Sequence, residues 1–420
     1  MTQTRPEPKV IIVPAKEETL QDQKKKKNLR VAAYCRVSMK KDEQLNSYEN
    51  QRDYYTEKIM ANPNWTMADI FADEGITGTS ACKRKDFLRM IRQCRKGKID
   101  MILAKSVSRF ARNTVDTLSY TRELRSMGMI FATATGCGKQ EKPTTEQPVL
   151  ETVEYSNLTD EDSRKQLSEL LSDAGIEGSR ITALMDRVEQ FNASVKSEWL
   201  TDGFESAAPT DTKYDPYEMQ DEWTAANGSF PGYNCRITAF ELFSEFITAG
   251  ADQPEVQGED SLFTDLETIN ADPDALCGDS TAKFCALFAP VNAADSTETE
   301  AQVEALREGW SARGIAFADS KASMISVVFH DKFSDEDNTL FIGHVGVLLP
   351  AEDGSLYFIE KVAFQEPYRL VKIQNRMELS DYLMEKYDTS WGQDTTRPFI
   401  MENDTLMDGY RSNPLEETNP

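Results

Sequence analysis

At 420 residues the chain is too long for one ordinary core, so two domains are the default expectation. Hydrophobic residues make up 39%, which suits globular domains and argues against wholesale disorder. Residues 1–140 carry 27 Lys+Arg against 16 Asp+Glu, a net of +11, and the remainder holds 20 against 55, a net of −35. A basic segment gains free energy by displacing counterions from DNA phosphates, whereas an acidic one is repelled. If DNA is a partner, the first third binds it.

Seven cysteines at 35, 82, 94, 137, 235, 277 and 285 form no CxxC pair, and there are two histidines. A structural zinc site is not expected, and neither is a complete disulfide framework, although Cys277 and Cys285 are spaced for one bridge in an oxidising compartment. The best candidate for a membrane span, the uncharged run Ser126–Gly138, is too short to span a bilayer, and the first residues lack an apolar leader. As encoded, the chain is expected in the cytoplasm.

Residues 1–28 read as a polar basic tail ending in Lys24–Lys27. Strand and helix signals then alternate. Arg30–Val37 is a buried strand, Gln44–Met60 a helix, Met67–Phe71 a strand and Asp73–Ser80 a loop. Lys85–Lys96 follows as a helix, Ile99–Ala104 as a strand, Thr114–Ser126 as a helix and Met127–Ala134 as a strand. This spacing predicts a parallel sheet flanked by helices over residues 29–132. A linker follows at 133–152, polar and Pro-containing over Gly138–Pro148. Residues 153–408 read as a separate acidic α+β domain, and 409–420 as a tail. Its predicted helices start at Thr159 with Asp162 as a capping box, and continue at Ser179–Ser194, Cys235–Ile247 and Thr299–Arg313. Ser323–His330, Leu340–Leu349 and Leu356–Phe364 are strands, the last two a hairpin through Glu352–Ser355.

Three polar clusters in the basic third sit at or after strand ends: Tyr34–Ser38, Asp73–Ser80 with Arg84, and Lys105–Asn113. In a parallel sheet, groups beyond the carboxyl ends of strands converge on one edge. Ser38, Arg109 and Arg112 therefore meet there although distant in sequence. A serine hydroxyl needs its alkoxide stabilised, and fixed guanidinium groups do this while also neutralising a pentacovalent phosphate. Residues 1–140 contain no histidine, so a Ser–His pair is excluded there. An arginine-rich site free of metal and cofactor remains.

These clusters resemble the catalytic domain of the serine recombinases, resolvase/invertase type, and of the large kind in particular. The resemblance rests on Tyr34–Ser38, Ser47 and Gln51 in NSYENQ, the Gly-Thr-Ser loop with Arg84, and the run Ser108–Arg112. It implies that Ser38 attacks DNA to form a 5′-phosphoserine link and free a 3′-hydroxyl. It further implies that Arg36, Arg84, Arg109 and Arg112 contact the scissile phosphate, that Gln51 and Asp73 support the site, and that the domain self-associates. The match is expected to stop near Phe131. The long dimerisation helix and basic recognition domain of that family are absent from the acidic remainder, so the recombinase part reads as truncated and impaired.

Ala134-Thr135-Gly136-Cys137 resembles a lipobox ahead of a polar tether, with a strand followed by a loop as the plainer reading. The acidic domain resembles an uncharacterised family of bacterial, envelope-anchored lipoproteins through EYSNLTDEDS, Asn234–Ile237, IGHVGVLLP and RPFIMEND. That resemblance carries no activity and no ligand. The residues themselves suggest one. Cys235 opens a helix, whose dipole favours a thiolate, while His344 and Glu360 lie on neighbouring strands, an order that resembles papain-like cysteine hydrolases. The plain alternative is a core cysteine and a satisfied histidine. Three readings therefore stand: a DNA-cleaving recombinase, an envelope-type domain that binds or hydrolyses something, and a composite chain joining the two. The composite best explains the charge break.

Overall fold

The computed structural model describes residues 28–37, 52, 55–62, 65–74, 85–104, 130–133, 150–250, 261–276, 281–332, 337–389 and 395–414. Four strands build the first sheet: β1 (Leu29–Val37), β2 (Trp65–Glu74), β3 (Met101–Ala104) and β4 (Ile130–Thr133). They lie in the order β2-β1-β3-β4, and each pairing is parallel. The parallel α/β expectation holds for these residues. Helix α1 (Lys85–Arg95) covers one face with Phe87, Met90, Ile91 and Cys94 against Ala32, Tyr34, Phe71 and Ile102. The other face packs Val31, Ala33 and Leu103 on Tyr55 and Ile59, from a helical stretch over residues 55–61. Alternation of β1 side chains between the two clusters is the two-sided burial that crossover helices impose.

One boundary differs. Asp73 and Glu74, expected in a loop, extend β2, because their backbones pair with Arg36 and Val37 in continuous register. The helix expected at Thr114–Ser126, linker residues 134–149 with Ala134–Cys137 among them, and Cys277 lie outside the described residues.

The acidic part forms an antiparallel sheet with helices on both faces. Its strands are β5 (Val153–Ser156), β6 (Glu205–Ala207), β7 (Ile247–Thr248), β8 (Val291–Asn292), β9 (Ala316–Phe317), β10 (Ser323–Lys332), β11 (Asn338–Pro350), β12 (Leu356–Ala363), β13 (Glu366–Ile373), β14 (Phe399–Glu402) and β15 (Thr405–Leu406). The main order is β15-β14-β10-β11-β12-β13-β5-β6, with β8 added on β11 and a separate β7–β9 pair. The hairpin between β11 and β12 turns at Gly354, whose φ of +86° suits glycine.

One face carries α2 (Glu161–Asp173), α3 (Gly178–Ala193), α4 (Pro216–Asn227), α5 (Cys235–Phe243), α6 (Phe263–Ala271), α7 (Thr281–Phe288) and α8 (Thr299–Ala312). The larger core lies between them and the sheet, with Val345, Val347, Ile359 and Leu370 facing Ile237, Phe240 and Leu184. The opposite face carries α9 (Arg376–Tyr387), which buries Leu379, Tyr382, Leu383 and Tyr387 on Val327, Leu348, Phe358 and Val371. Because both faces are covered, every residue of β12 is buried.

Two helix ends depart from expectation. Asp160, not Thr159, caps α2 by accepting from the Ser163 N–H at 2.8 Å. Thr159 instead donates to Asp202 at 2.8 Å. The helix expected over Cys235–Ile247 ends at Phe243 and tightens into a 3-10 turn at Ser244–Phe246. No helix among the described residues is long and apolar enough to cross a membrane.

Candidate functional site

In the basic domain, β1 and β2 run parallel and end together, Arg36 level with Asp73 and Val37 level with Glu74. Ser38 is the next residue after β1, and Lys105 the next after β3. Backbone register thus brings the carboxyl ends of β1 and β2 level with one another, and the three polar clusters begin at or follow these strand ends in sequence. The side chains of Arg36 and Asp73, and all of Ser38, Gln51, Arg84, Arg109 and Arg112, lie outside the described residues.

The Cys235 site is described in full. Asn234 caps α5, accepting from the Ile237 N–H at 2.9 Å and donating to Asp265 Oδ1 at 2.8 Å. Arg236 grips the same buried carboxylate with both arms, at 3.0 and 2.6 Å. Tyr233 donates to Asp272 at 2.7 Å, and Thr268 donates to the Gly232 carbonyl at 2.7 Å. Four contacts to α6 and its end therefore fix residues 232–236. Gly232 has φ +85°, and a Cβ there would sit 3.0 Å from the Trp223 ring. Behind the cysteine, α5 is buried almost all round, and its interior Glu241 is neutralised by Arg187. The helix is therefore held as a rigid post with Cys235 at its amino end, 5% exposed.

His344 reaches the site through an irregularity in β11. Val327 of β10 pairs with His344 and Val328 with Ile342, leaving Gly343 as an extra, unpaired residue. Side-chain parity switches there: Leu340 and Ile342 face the larger core, as do Val345, Val347 and Leu349. A bulge of this kind re-aims the adjacent side chain. The imidazole is fully buried, stacked on Tyr387 with centroids 4.8 Å apart, and its Nε2 is 2.6 Å from Glu360 Oε2.

Burial pulls the His344 pKa down, but negative charge and hydrogen bonding at Cys235, followed by Glu360, outweigh it and push it up to about 8. The thiol is thus within electrostatic and hydrogen-bonding reach of the ring. Nδ1 nevertheless has no hydrogen-bond partner among the described residues. Apo sites are often loose in this way.

Glu360 divides its oxygens. Oε2 serves His344, while Oε1 accepts from the Tyr382 hydroxyl and from Lys386 Nζ at 3.1 Å. Arg369 sits opposite Glu360 in register, its guanidinium 4.3 Å over the Tyr155 ring. Burial would raise the Glu360 pKa, but the Lys386 charge, the His344 hydrogen bond and charge, and Arg369 drive it far below the usual carboxylate range. Lys361 is the next residue along β12 and faces the other way. Its amine lies 3.7 Å over the Phe191 ring, and burial depresses its pKa strongly against the pull of Glu366 and Cys235.

The sequence-predicted residues Cys235, His344 and Glu360 are therefore together. Sequence reasoning missed Tyr382, Lys386 and Arg369, which arrive from α9 and β13. The second histidine belongs elsewhere. His330 Nδ1 accepts from the Thr396 N–H at 3.1 Å and Nε2 is 2.7 Å from Asn338 Oδ1, so both ring nitrogens are occupied. Among the described residues no group of His, Cys, Asp and Glu is arranged to hold a metal.

Residues 31–156 match the family model described as Resolvase, N terminal domain. That match runs past Phe131, where the resemblance was expected to stop, and ends inside β5, which is built into the antiparallel sheet. Similar solved structures include the N-terminal catalytic domain of TP901-1 integrase, 24% identical over 25% of this chain and 75% of that one, with a TM-score of 0.20. The C-terminal catalytic domain of ISC1926 TnpA, an IS607-like serine recombinase, is 19% identical over 39% and 99%, with a TM-score of 0.22. The first ORF of transposon ISC1904 from Sulfolobus solfataricus P2 is 18% identical over 38% and 97%, with a TM-score of 0.21. No curated protein matches. Residues 154–407, more than half of the chain, match a second family model, and the chain belongs to that family, Domain of unknown function (DUF4300).

Proposed function

We propose that the acidic domain is a cysteine hydrolase in which Cys235 is the nucleophile, His344 the general base and acid, and Glu360 the group that orients the imidazole. One observation carries this reading: a single buried imidazole is bonded to Glu360 at 2.6 Å and is also influenced by the Cys235 thiol. Thiolate attack on an acyl carbon forms the S–C bond, and His344 delivers its proton to the leaving group. Water then attacks the thioester carbon as His344 takes its proton, the C–S bond breaks to release the carboxylic acid, and His344 returns the proton to the sulfur. The first N–H groups of α5 supply the positive end of a helix dipole where the oxyanion develops. The order of nucleophile on a helix, base on one strand and orienting group on the next resembles the papain-like arrangement.

The test is peptide-resolved alkylation by iodoacetamide across pH. Cys235 is expected to label through a transition governed by His344, and His344→Ala is expected to slow labelling at least tenfold near neutrality. Equal rates in the two proteins would leave a core cysteine and no hydrolase.

A second reading concerns the basic domain, and the resolvase-type match over residues 31–156 favours it. We infer that this part binds DNA and that Ser38 attacks a phosphodiester, forming a 5′-phosphoserine bond as the 3′-hydroxyl departs. Arg36, Arg84, Arg109 and Arg112 would neutralise the phosphorane, supported by Gln51 and Asp73, and self-association would pair two such sites. A covalent protein–DNA adduct that Ser38→Ala abolishes is the expected result. A wild-type chain that never forms the adduct on any supercoiled substrate would reduce the domain to DNA binding alone.

A further inference from the structure

We propose that Lys386 is a positioning residue for the Cys235 site, holding Oε1 of Glu360 so that His344 exchanges its proton near neutrality instead of being locked as imidazolium. For its catalytic consequence this rests on the hydrolase reading; the effect on His344 does not.

The geometry is a partition of one carboxylate. Oε2 of Glu360 is 2.6 Å from His344 Nε2. Oε1 is taken by two groups one helical turn apart on α9, the Tyr382 hydroxyl and Lys386 Nζ at 3.1 Å, which are themselves 3.0 Å apart. Glu360 and His344 are fully buried and Lys386 is 5% exposed. In so dry a place an imidazole facing a carboxylate alone gains its proton and keeps it, because a lone buried negative charge is worse than a pair. A cation already on that carboxylate weakens the incentive. Lys386 supplies it at close range, and Arg369 supplies a second cation from β13.

Charged and titratable groups from four elements set this balance, while β10 pairs with His344 through the apolar Val327. Cys235 acts on it from α5, Glu360 from β12, Arg369 lies behind Glu360 on β13, and α9 brings Lys386 with the phenols of Tyr382 and Tyr387. Cys235 and Glu360 favour the imidazolium, and Lys386 and Arg369 oppose it. The net position, about 8, lies where a base is useful. Tyr382 remains a proton donor, since burial and Glu360 push its own pKa well up.

The chain has two histidines, so His344 can be followed in the full-length protein by two-bond nitrogen–proton NMR of the imidazoles. In Lys386→Met the His344 titration is expected to move upward, by roughly one pH unit. Lys386→Gln, which keeps a donor to Oε1 but no charge, is expected to move the same way and serves if the methionine variant does not fold. Lys386→Arg should restore the original midpoint. A folded Met or Gln variant titrating as the original, or an Arg variant displaced as far as they are, would overturn the proposal. The limb of the Cys235 alkylation profile set by His344 should shift in step with the NMR midpoint. A titration shift without any His344 dependence of alkylation would overturn the hydrolase reading and leave the role of Lys386 standing.

Discussion

Glu360 is fully buried between an imidazole, an ammonium, a phenol and a guanidinium, and only the ionised carboxylate satisfies all of them. Removing it strands Lys386 and Arg369 in a low-dielectric interior. Glu360→Ala is therefore expected to cost about 3–5 kcal/mol in urea denaturation, and a loss below about 1 kcal/mol would mean the network is wet. The His344 pKa gives a second expectation, with a definite sign. Its folded value of about 8 exceeds the ordinary 6.5, so the protonated ring stabilises the fold fully below about 6.5 and stops doing so as pH rises through 8. The contribution is about 2 kcal/mol at most. Melting temperature should fall more steeply between about pH 6 and pH 9 in the original protein than in His344→Gln; parallel curves would refute the shift. The three residues of the site were legible in the sequence because each carries a local sign: a cysteine after a capping asparagine, and His and Glu on the strands of one hairpin. Lys386, Tyr382 and Arg369 carry none. They read as ordinary charged or amphipathic residues of a helix and a strand, and only the stacking of α9 on the sheet's second face, with the register of β13 beside β12, makes them partners of Glu360.

At the scale of elements, the same physics explains which strands could be read. β10, β11 and β12 are apolar runs because helices cover both sheet faces. β13 was missed since EPYRLVKI looks polar, yet Glu366 and Arg369 are buried through Tyr214 at 2.8 Å and through Glu360. α9 was missed for a related reason: its Asp381, Lys386 and Ser380 are buried along with its apolar residues, so no amphipathic stripe appears. The bulge at Gly343 has no sequence signature beyond the glycine itself. Its neighbour Gly346 has a packing reason: a Cβ there would stand 2.4 Å from the Phe358 ring and 2.6 Å from the Ile359 carbonyl oxygen. Gly346→Ala is thus expected to lower stability by about 2–3 kcal/mol, because a backbone oxygen cannot give way. At the other end of the site, Asn234→Ala removes the α5 cap, which is worth about 1 kcal/mol. It also releases Asp265 from one of its donors. The decisive measurement is Cys235 alkylation at fixed pH: a wandering thiol changes rate by more than the stability loss predicts, and an unchanged rate would show that the contacts of Arg236, Tyr233 and Gly232 fix the post without the cap.

For the whole molecule, charge is the term that couples the two parts. If the basic third binds DNA as proposed, it gains by releasing counterions, while the remaining residues bring a net −35 to the same chain. Tethered near DNA, that charge repels it over distances comparable to the Debye length, about 10 Å at 0.1 M salt. The full chain should therefore bind DNA more weakly than a fragment of residues 1–150 at low salt. The deficit should shrink as salt rises, because screening weakens repulsion from the acidic domain together with attraction to the basic one. The check is a pair of fluorescence-anisotropy titrations on one duplex from about 50 to 300 mM salt. Converging affinities would mean that the acidic domain acts on DNA only through its field. Parallel lines would mean that it blocks the carboxyl edge of the β1–β4 sheet sterically, where Ser38 follows β1. In the converging case the two chemistries are separable by salt: Cys235 alkylation should be indifferent to ionic strength, because its partners His344 and Glu360 are buried beyond the reach of screening.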